Sequence, residues 1–159
     1  MLMIAVFFLL PTFAYASMPK ADFVLVVKSK KRLYLKRDNK IIRSYRVVFG
    51  ANPSGHKVME GDQRTPEGIY FLDFKLKKSA FYKAIHISYP NSEDVRRAQK
   101  LGVDPGGSIM IHGQPNECFW PPKVTQYFNW TDGCIAVTNY EMDEIWQAVD
   151  EGTPIRIMP

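Results

Sequence analysis

The 159-residue sequence has few of the side chains that usually carry chemistry, with only two cysteines and three histidines. The histidines are His56, His86 and His112, and no His-x-His or His-Glu-x-x-His pair occurs. Zinc hydrolases of the cell wall use His, Asp and His ligands. His56 and Asp62 could supply two of these, but no such pair is present to complete the site. We therefore expect neither a metal centre nor a cofactor.

Charge is missing from the first sixteen residues, MLMIAVFFLLPTFAYA. This run is too short to cross a bilayer as a helix, which takes about 20 residues, and it ends in the small-x-small pattern Ala14-Tyr15-Ala16. We predict a signal peptide over 1–16, with a buried strand or an uncleaved anchor as the alternatives. The expected product is an exported, periplasmic protein without a stable membrane span.

Acidic residues are nearly missing between Lys28 and Arg46. This segment contains nine basic residues and one acidic residue, Asp38. A basic hairpin suits an anionic partner such as a cell-wall polymer or a membrane surface, or it is a solvated strand face. Nucleic acid is not an expected partner, since the chain has no recognition motif for it.

Short strand patterns dominate the remaining 143 residues, 17–159. The first strand candidate is "DFVLVVK" (22–28). A β-hairpin is predicted from the next two, "KRLYLKR" (31–37) and "IIRSYRVVFG" (41–50), which flank a polar turn at 38–40. Further strand candidates are 69–74, 84–89, 108–113 and 153–158.

Two helices are predicted. One spans 91–102, with Asn91 or Ser92 as its cap and Gly102 as its stop. The other follows Thr138, because Thr138 and Glu141 have the spacing of a capping box, and it is expected to end at Gly152. These elements indicate a single α+β domain over 17–159, predominantly β, with two short helices.

Cys134 is the residue with the most informative surroundings, in "WTDGCIAVT" (130–138). A disulfide with Cys118 is one interpretation for an exported chain. A nucleophile is the other, because the N–H groups of Gly133 and Cys134 could bind an oxyanion. His112, at the end of a strand pattern, could then activate the sulfur. The residues alone leave both open.

Three segments in the same order resemble the L,D-transpeptidase (YkuD-like) family. "IMIHG" (109–113) followed by "WTDGCIAVT" is similar to its His-Gly and Ser/Thr-x-Gly-Cys signature. "RTPEGIY" (64–70) resembles its Thr-Pro-x-Gly segment, and the basic hairpin resembles its first hairpin. "IHISYPN" (85–91) and "TDGCIAVTN" (131–139) are most similar to the branch that includes the peptidoglycan–lipoprotein amidase.

The resemblance implies an L,D-transpeptidase-like β-sandwich with Cys134 as the nucleophile and His112 as its general base. The carbonyl of Gly113 would orient the imidazole. The N–H groups of Gly133 and Cys134 would bind the oxyanion, and Thr131 would hold the loop. The implied donor is a peptidoglycan stem peptide, cut between diaminopimelate and the terminal D-alanine to form a thioester that an amine or water resolves.

Two departures from the family pattern affect the substrate contacts. Many members have a second histidine where Asp132 stands and an arginine where Ala136 stands. The substrate contacts are therefore expected to differ, and the acceptor stays open. His86 lies on the opposite face from Ile85 and Ile87 in a strand pattern, and is either near the site or simply exposed.

Aromatic residues crowd the loop before Cys134. They are a candidate lid over the substrate, or alternatively part of the core: Trp120, Tyr127, Phe128 and Trp130.

We predict an exported, cysteine-dependent peptidoglycan L,D-transpeptidase. Its predicted substrate and oxyanion contacts are Thr131, Asp132, Gly133, Trp130 and His86. The first alternative is a hydrolytic amidase of the same fold that cuts diaminopimelate–lysine links between peptidoglycan and a wall-linked lipoprotein. The second is a non-catalytic wall-binding module with a Cys118–Cys134 disulfide.

Overall fold

The computed structural model describes residues 18–159. The predicted signal peptide and Ser17 lie outside these residues. The strands are β1 Phe23–Val27, β2 Arg32–Arg37, β3 Lys40–Arg46, β4 Gly68–Ser79, β5 Tyr82–Ile87, β6 Met110–His112, β7 Ile135–Ala136 and β8 Thr153–Met158. The helices are α1 Ser92–Leu101, α2 Pro122–Thr125 and α3 Asn139–Ala148. Within this part of the chain, no helix has both the length and the apolar character needed to span a membrane.

All eight strands join one mixed sheet in the order β3-β2-β1-β8-β4-β5-β6-β7. The β1–β8 and β6–β7 pairs are parallel and the other pairs are antiparallel. The chain that leaves β3 pairs with the far end of the sheet, where Val48 and Ala136 exchange both backbone hydrogen bonds. The two halves of the sheet thus enclose a single core. The predicted α+β fold, predominantly β, is confirmed.

The predicted hairpins form, with different lengths. Asp38 and Asn39 both have positive φ, 48° and 64°, which makes a tight turn between β2 and β3. The predicted strand over 41–50 is interrupted, because β3 ends at Arg46 and only isolated bridges follow. The predicted strands 69–74 and 84–89 belong to one long hairpin of β4 and β5, whose connection near residue 80 was not predicted.

Both predicted helices are confirmed. Asn91 caps α1, where its side chain accepts hydrogen bonds from two backbone N–H groups, and Gly102 ends the helix with φ 67°. The Thr138–Glu141 capping box begins α3. The expectation that Gly152 ends this helix is wrong, because α3 ends at Ala148 and Gly152 lies in the turn before β8. The four-residue α2 was not predicted.

Candidate active site

In β5, β6 and β7, alternate side chains point to opposite faces of the sheet, and only one face packs into the core. Residues on one face are buried in the core: Ile85, Ile87, Ile111, Ile135 and Val137. The opposite face carries His112, which pairs with Ala84 on one side and Ala136 on the other. The same register sets Cys134, just before β7, beside Met110, one pleat from His112. His112 and Cys134 are therefore diagonal neighbours on one face of the sheet.

The imidazole of His112 is buried, with 3% of its surface exposed. Its Nδ1 lies 2.7 Å from the carbonyl oxygen of Gly113. A carbonyl only accepts, so Nδ1 carries the proton and Nε2 keeps its lone pair. Burial lowers the pKa of His112, against a smaller opposing effect of the Gly113 hydrogen bond. The resting histidine is thus a neutral base with a defined tautomer.

Two aromatic rings cover His112. The Phe81 ring lies 4.5 Å from the imidazole and the Trp130 ring lies 5.7 Å away, centroid to centroid. Trp130 is held by its indole N–H, which donates to the carbonyl of Thr125. Trp130 was among the predicted contacts. Phe81 was not, because it lies in the unpredicted turn between β4 and β5.

The other three aromatic residues of the predicted lid are on the surface: Trp120, Tyr127 and Phe128 are 69%, 69% and 60% exposed. They are not part of the core, and the rings that contact His112 are those of Phe81 and Trp130.

The thiol of Cys134 is partly exposed and lies 3.6 Å from the carbonyl oxygen of Ser108. Burial of its surroundings raises its pKa, and Asp132 raises it further, whereas the Met110 N–H and Lys57 lower it. Desolvation is the largest of these effects, so the resting sulfur is a thiol. Lys57 was not predicted as a site residue. It is 3% exposed, with its charge held by Asp62 at 2.9 Å.

Thr131 holds the turn that carries Cys134. Its hydroxyl donates to the carbonyl of Cys134 at 2.7 Å and accepts from the Gly133 N–H at 3.3 Å. Asp132 is exposed, and its carboxylate accepts from the Gln63 amide at 3.5 Å.

Gly133 has no room for a side chain. Its φ is 127°, and a Cβ would lie 2.6 Å from the carbonyl oxygen of Arg64. The Thr65 hydroxyl donates to the Gly133 carbonyl at 2.8 Å. The "RTPEGIY" segment therefore packs directly against the Cys134 turn, where it meets "IMIHG" and "WTDGCIAVT".

Cys118 and Cys134 are both free thiols. The Cys118 sulfur is 3.8 Å from the carbonyl of Trp120, in a groove of about 590 Å³ beside α3. Cys134 is not among the residues that line this groove. The geometry thus gives no support to the wall-binding alternative with its disulfide.

The two residues weighed as zinc ligands contact other groups. His56 lies 3.0 Å from the Asp94 carboxylate and accepts from the Glu67 N–H. Asp62 is bonded to Lys57 and to three backbone N–H groups. Among residues 18–159 no cluster of three His, Cys, Asp or Glu side chains has a metal-binding arrangement.

His86 lies on the same face of the sheet as His112, paired with Met110. Its Nδ1 is 2.7 Å from the Asp73 carboxylate, and its ring stacks on Phe74 at 4.4 Å. Of the two interpretations of His86, the structure supports a position near the site.

Comparison with known proteins agrees with this geometry. Residues 21–157 match the family described as the L,D-transpeptidase catalytic domain (YkuD). The fold and the three converging segments define an L,D-transpeptidase-type domain, and the chain belongs to this family.

Individual relatives point the same way. A curated relative is "Putative L,D-transpeptidase YafK" of Escherichia coli K12, 30% identical over 133 residues, which are 80% of this chain and 46% of that protein. A solved structure, the helical cell shape determining protein Pgp2 of Campylobacter jejuni, is 28% identical. It superposes with a TM-score of 0.65 over 85% of this chain and 46% of that one. Enterococcus faecium L,D-transpeptidase shares the fold, with a TM-score of 0.57 at 14% identity. The chain spans about half the length of these relatives.

The packing at Gly133 predicts a large stability loss for Gly133→Ala. The substitution adds a clash with a backbone carbonyl to the cost of an unfavourable φ. We therefore expect it to lower the free energy of unfolding by about 1–3 kcal/mol more than a Gly→Ala change that carries only the φ penalty. Gly61→Ala is the matched control, since Gly61 has φ 75° but no atom near its missing Cβ. Equal losses in urea unfolding would contradict the close packing.

The raised pKa of Cys134 predicts its alkylation profile. In a Cys118→Ser background, the rate of reaction with iodoacetamide should rise with pH through a midpoint above the usual value for cysteine of about 8.5. Unfolding in urea removes the desolvation, so the midpoint should fall. A native midpoint near neutrality would instead show a preformed thiolate–imidazolium pair.

Proposed function

We propose that this chain is a cysteine-dependent acyltransferase of the L,D-transpeptidase class that acts on peptidoglycan stem peptides through a thioester on Cys134. The observation that carries the proposal is the diagonal placement of Cys134 beside His112, whose tautomer is set by the Gly113 carbonyl at 2.7 Å. This geometry combines a nucleophile, a base and a group that orients the base.

In the first step the Nε2 atom of His112 takes the proton of the Cys134 thiol as the sulfur attacks the substrate carbonyl. The thiol rotates away from Ser108 to reach the base. A neutral thiol and a neutral imidazole suit this transfer, because charge develops only as the reaction proceeds. The imidazolium then gives the proton to the departing amine, which leaves a thioester on Cys134.

The developing oxyanion needs donors at the turn 133–134. We propose the backbone N–H groups of Gly133 and Cys134 for this role. The Gly133 N–H makes only a long bond of 3.3 Å to Thr131 in the resting state. It can therefore exchange this partner for a negatively charged oxygen, which is the stronger acceptor.

An amine or water resolves the thioester, and these outcomes separate a transpeptidase from the amidase alternative. Product analysis with defined muropeptides, with and without an amine acceptor, distinguishes the two. The proposed substrate lies outside the cytoplasmic membrane, so the proposal includes export to the periplasm and places residues 1–16 as the signal peptide. A role in cell shape, which is named for Pgp2, is included in the proposal.

Cys134→Ala should abolish release of D-alanine from a stem tetrapeptide, because the other cysteine of the chain, Cys118, lines a separate groove. The measurement is product release by mass spectrometry, together with an unfolding curve. Cys118→Ser is the matched control and should keep its activity. Unchanged turnover in Cys134→Ala would refute the mechanism.

His112→Ala should lower kcat/KM by about 10²–10⁴, the usual contribution of a general base. In the wild type, kcat/KM should rise with pH through a pKa below the 6.5 of an ordinary histidine, because burial favours the neutral form that acts as the base. If the fall of kcat/KM at low pH were unchanged in His112→Ala, the titrating group would not be His112.

A further inference from the structure

A second histidine–carboxylate pair lies in line with Cys134. On the face of the sheet that carries the site, His86 of β5 is paired with Met110 of β6, and Met110 is beside Cys134. Two interstrand spacings of about 4.8 Å put the Cα atoms of His86 and Cys134 roughly 10 Å apart.

An irregularity of β4 holds His86 in place. Leu72 pairs with Ile87 and Lys75 pairs with Ile85, so Asp73 and Phe74 together stand opposite the single residue His86. Bulges of this kind redirect side chains and are frequent next to active sites. Here the bulge gives His86 two partners, a carboxylate at 2.7 Å and a stacked ring at 4.4 Å.

The hydrogen bond to Asp73 sets the tautomer of His86. The carboxylate accepts the Nδ1 proton, so the neutral imidazole presents an unshared electron pair on Nε2. In residues 18–159 the only cationic group paired with Asp73 is His86 itself. The Asp73 side chain is 41% exposed and that of His86 is 15% exposed. An anionic carboxylate beside a lone pair attracts an ammonium group.

His112 is not free to deprotonate an incoming amine. It is enclosed by Phe81 and Trp130 and serves the Cys134 sulfur under the proposed function. An amine acceptor arrives as an ammonium ion, which has no lone pair and cannot attack a thioester until it loses a proton. A second base therefore has a chemical purpose.

We propose that His86 and Asp73 form the acceptor subsite, which binds the ammonium of a primary-amine acyl acceptor and deprotonates it. This inference rests on the proposed function and deepens it. His86 Nε2 takes one proton from the ammonium, and Asp73 stabilises the imidazolium. The freed nitrogen pair attacks the thioester carbonyl, the C–S bond breaks, and an amide forms. A second N–H proton passes through His112 to the departing sulfur of Cys134, and His86 releases its proton to water.

The test separates acylation from transfer. Wild type, His86→Asn and Asp73→Asn are mixed with a stem tetrapeptide, and the Cys134 acyl-enzyme is detected by mass spectrometry. A stem tripeptide with a free diaminopimelate amine is then added, and transfer is compared with hydrolysis. Both variants should form the acyl-enzyme but lose transfer by roughly 10²-fold, so that hydrolysis predominates. Asp38→Asn, an equal change of charge at the tip of the first hairpin, should transfer like the wild type.

Two readouts exclude a merely structural role. Hydroxylamine is uncharged near neutral pH and needs no base, so the His86 and Asp73 variants should transfer to it at the wild-type rate. Their transfer to the tripeptide should recover as pH rises, in proportion to the free amine. Unchanged transfer to the tripeptide in His86→Asn, or equal loss with hydroxylamine, would overturn this inference alone. A wild-type enzyme that forms the acyl-enzyme but only hydrolyses it would overturn this inference and the acyl-transfer part of the proposed function, and would leave the Cys134 thioester intact. A wild-type chain that never forms the acyl-enzyme would overturn the proposed function as well.

Discussion

The two-residue alternation of β5, β6 and β7 is the constraint on which the candidate site depends. It puts the isoleucines of these strands into the core and His86, His112 and Cys134 onto the other face. A slip of one residue in the register of β6 would bury His112 in the core and expose Ile111. The energy that fixes the site is therefore largely the hydrophobic energy of the core, which comes to about 1.5–3 kcal/mol for each fully buried aliphatic side chain.

The second constraint is the contact between backbone segments around Gly133. A Cβ on Gly50 would lie 2.0 Å from the carbonyl oxygen of Gln63 and 2.9 Å from the nitrogen of Gly133. Only glycine allows these three segments to approach so closely. The Lys57–Asp62 pair stabilises the loop that carries Gln63, because Asp62 also accepts the N–H groups of that loop. The same loop brings a buried cation close enough to lower the pKa of Cys134, against the larger effect of desolvation.

Sequence patterns predicted the parts of the molecule that local physics determines. The first hairpin, both longer helices and their capping residues follow from alternation, turn residues and capping chemistry. The placement of His112 beside Cys134 came from the family resemblance, because spacing of 22 residues alone does not establish a contact.

The site residues that no sequence pattern predicted depend on pairings between distant segments. Phe81 reaches His112 through the turn of a hairpin whose length the pattern did not reveal. Lys57 lies in a polar loop of the sequence, and its burial follows only from the tertiary fold. The bulge that sets Asp73 and Phe74 against His86 depends on the register between β4 and β5. No local pattern contains that information.

The departures from the family pattern acquire a physical meaning in this arrangement. Where many members carry an arginine, Ala136 is fully buried beside His112 and brings no charge to the site. Where many carry a second histidine, Asp132 adds a negative charge that acts on the Cys134 thiol. Lys57, which lowers the pKa of the Cys134 thiol, is buried and paired with Asp62. The carboxylates of Asp132 and Asp73 are, in contrast, at least partly exposed. Such a field attracts ammonium groups and repels carboxylates. Under the proposed function, this charge distribution favours an acceptor that approaches as an ammonium ion and disfavours rebinding of a released amino acid through its carboxylate.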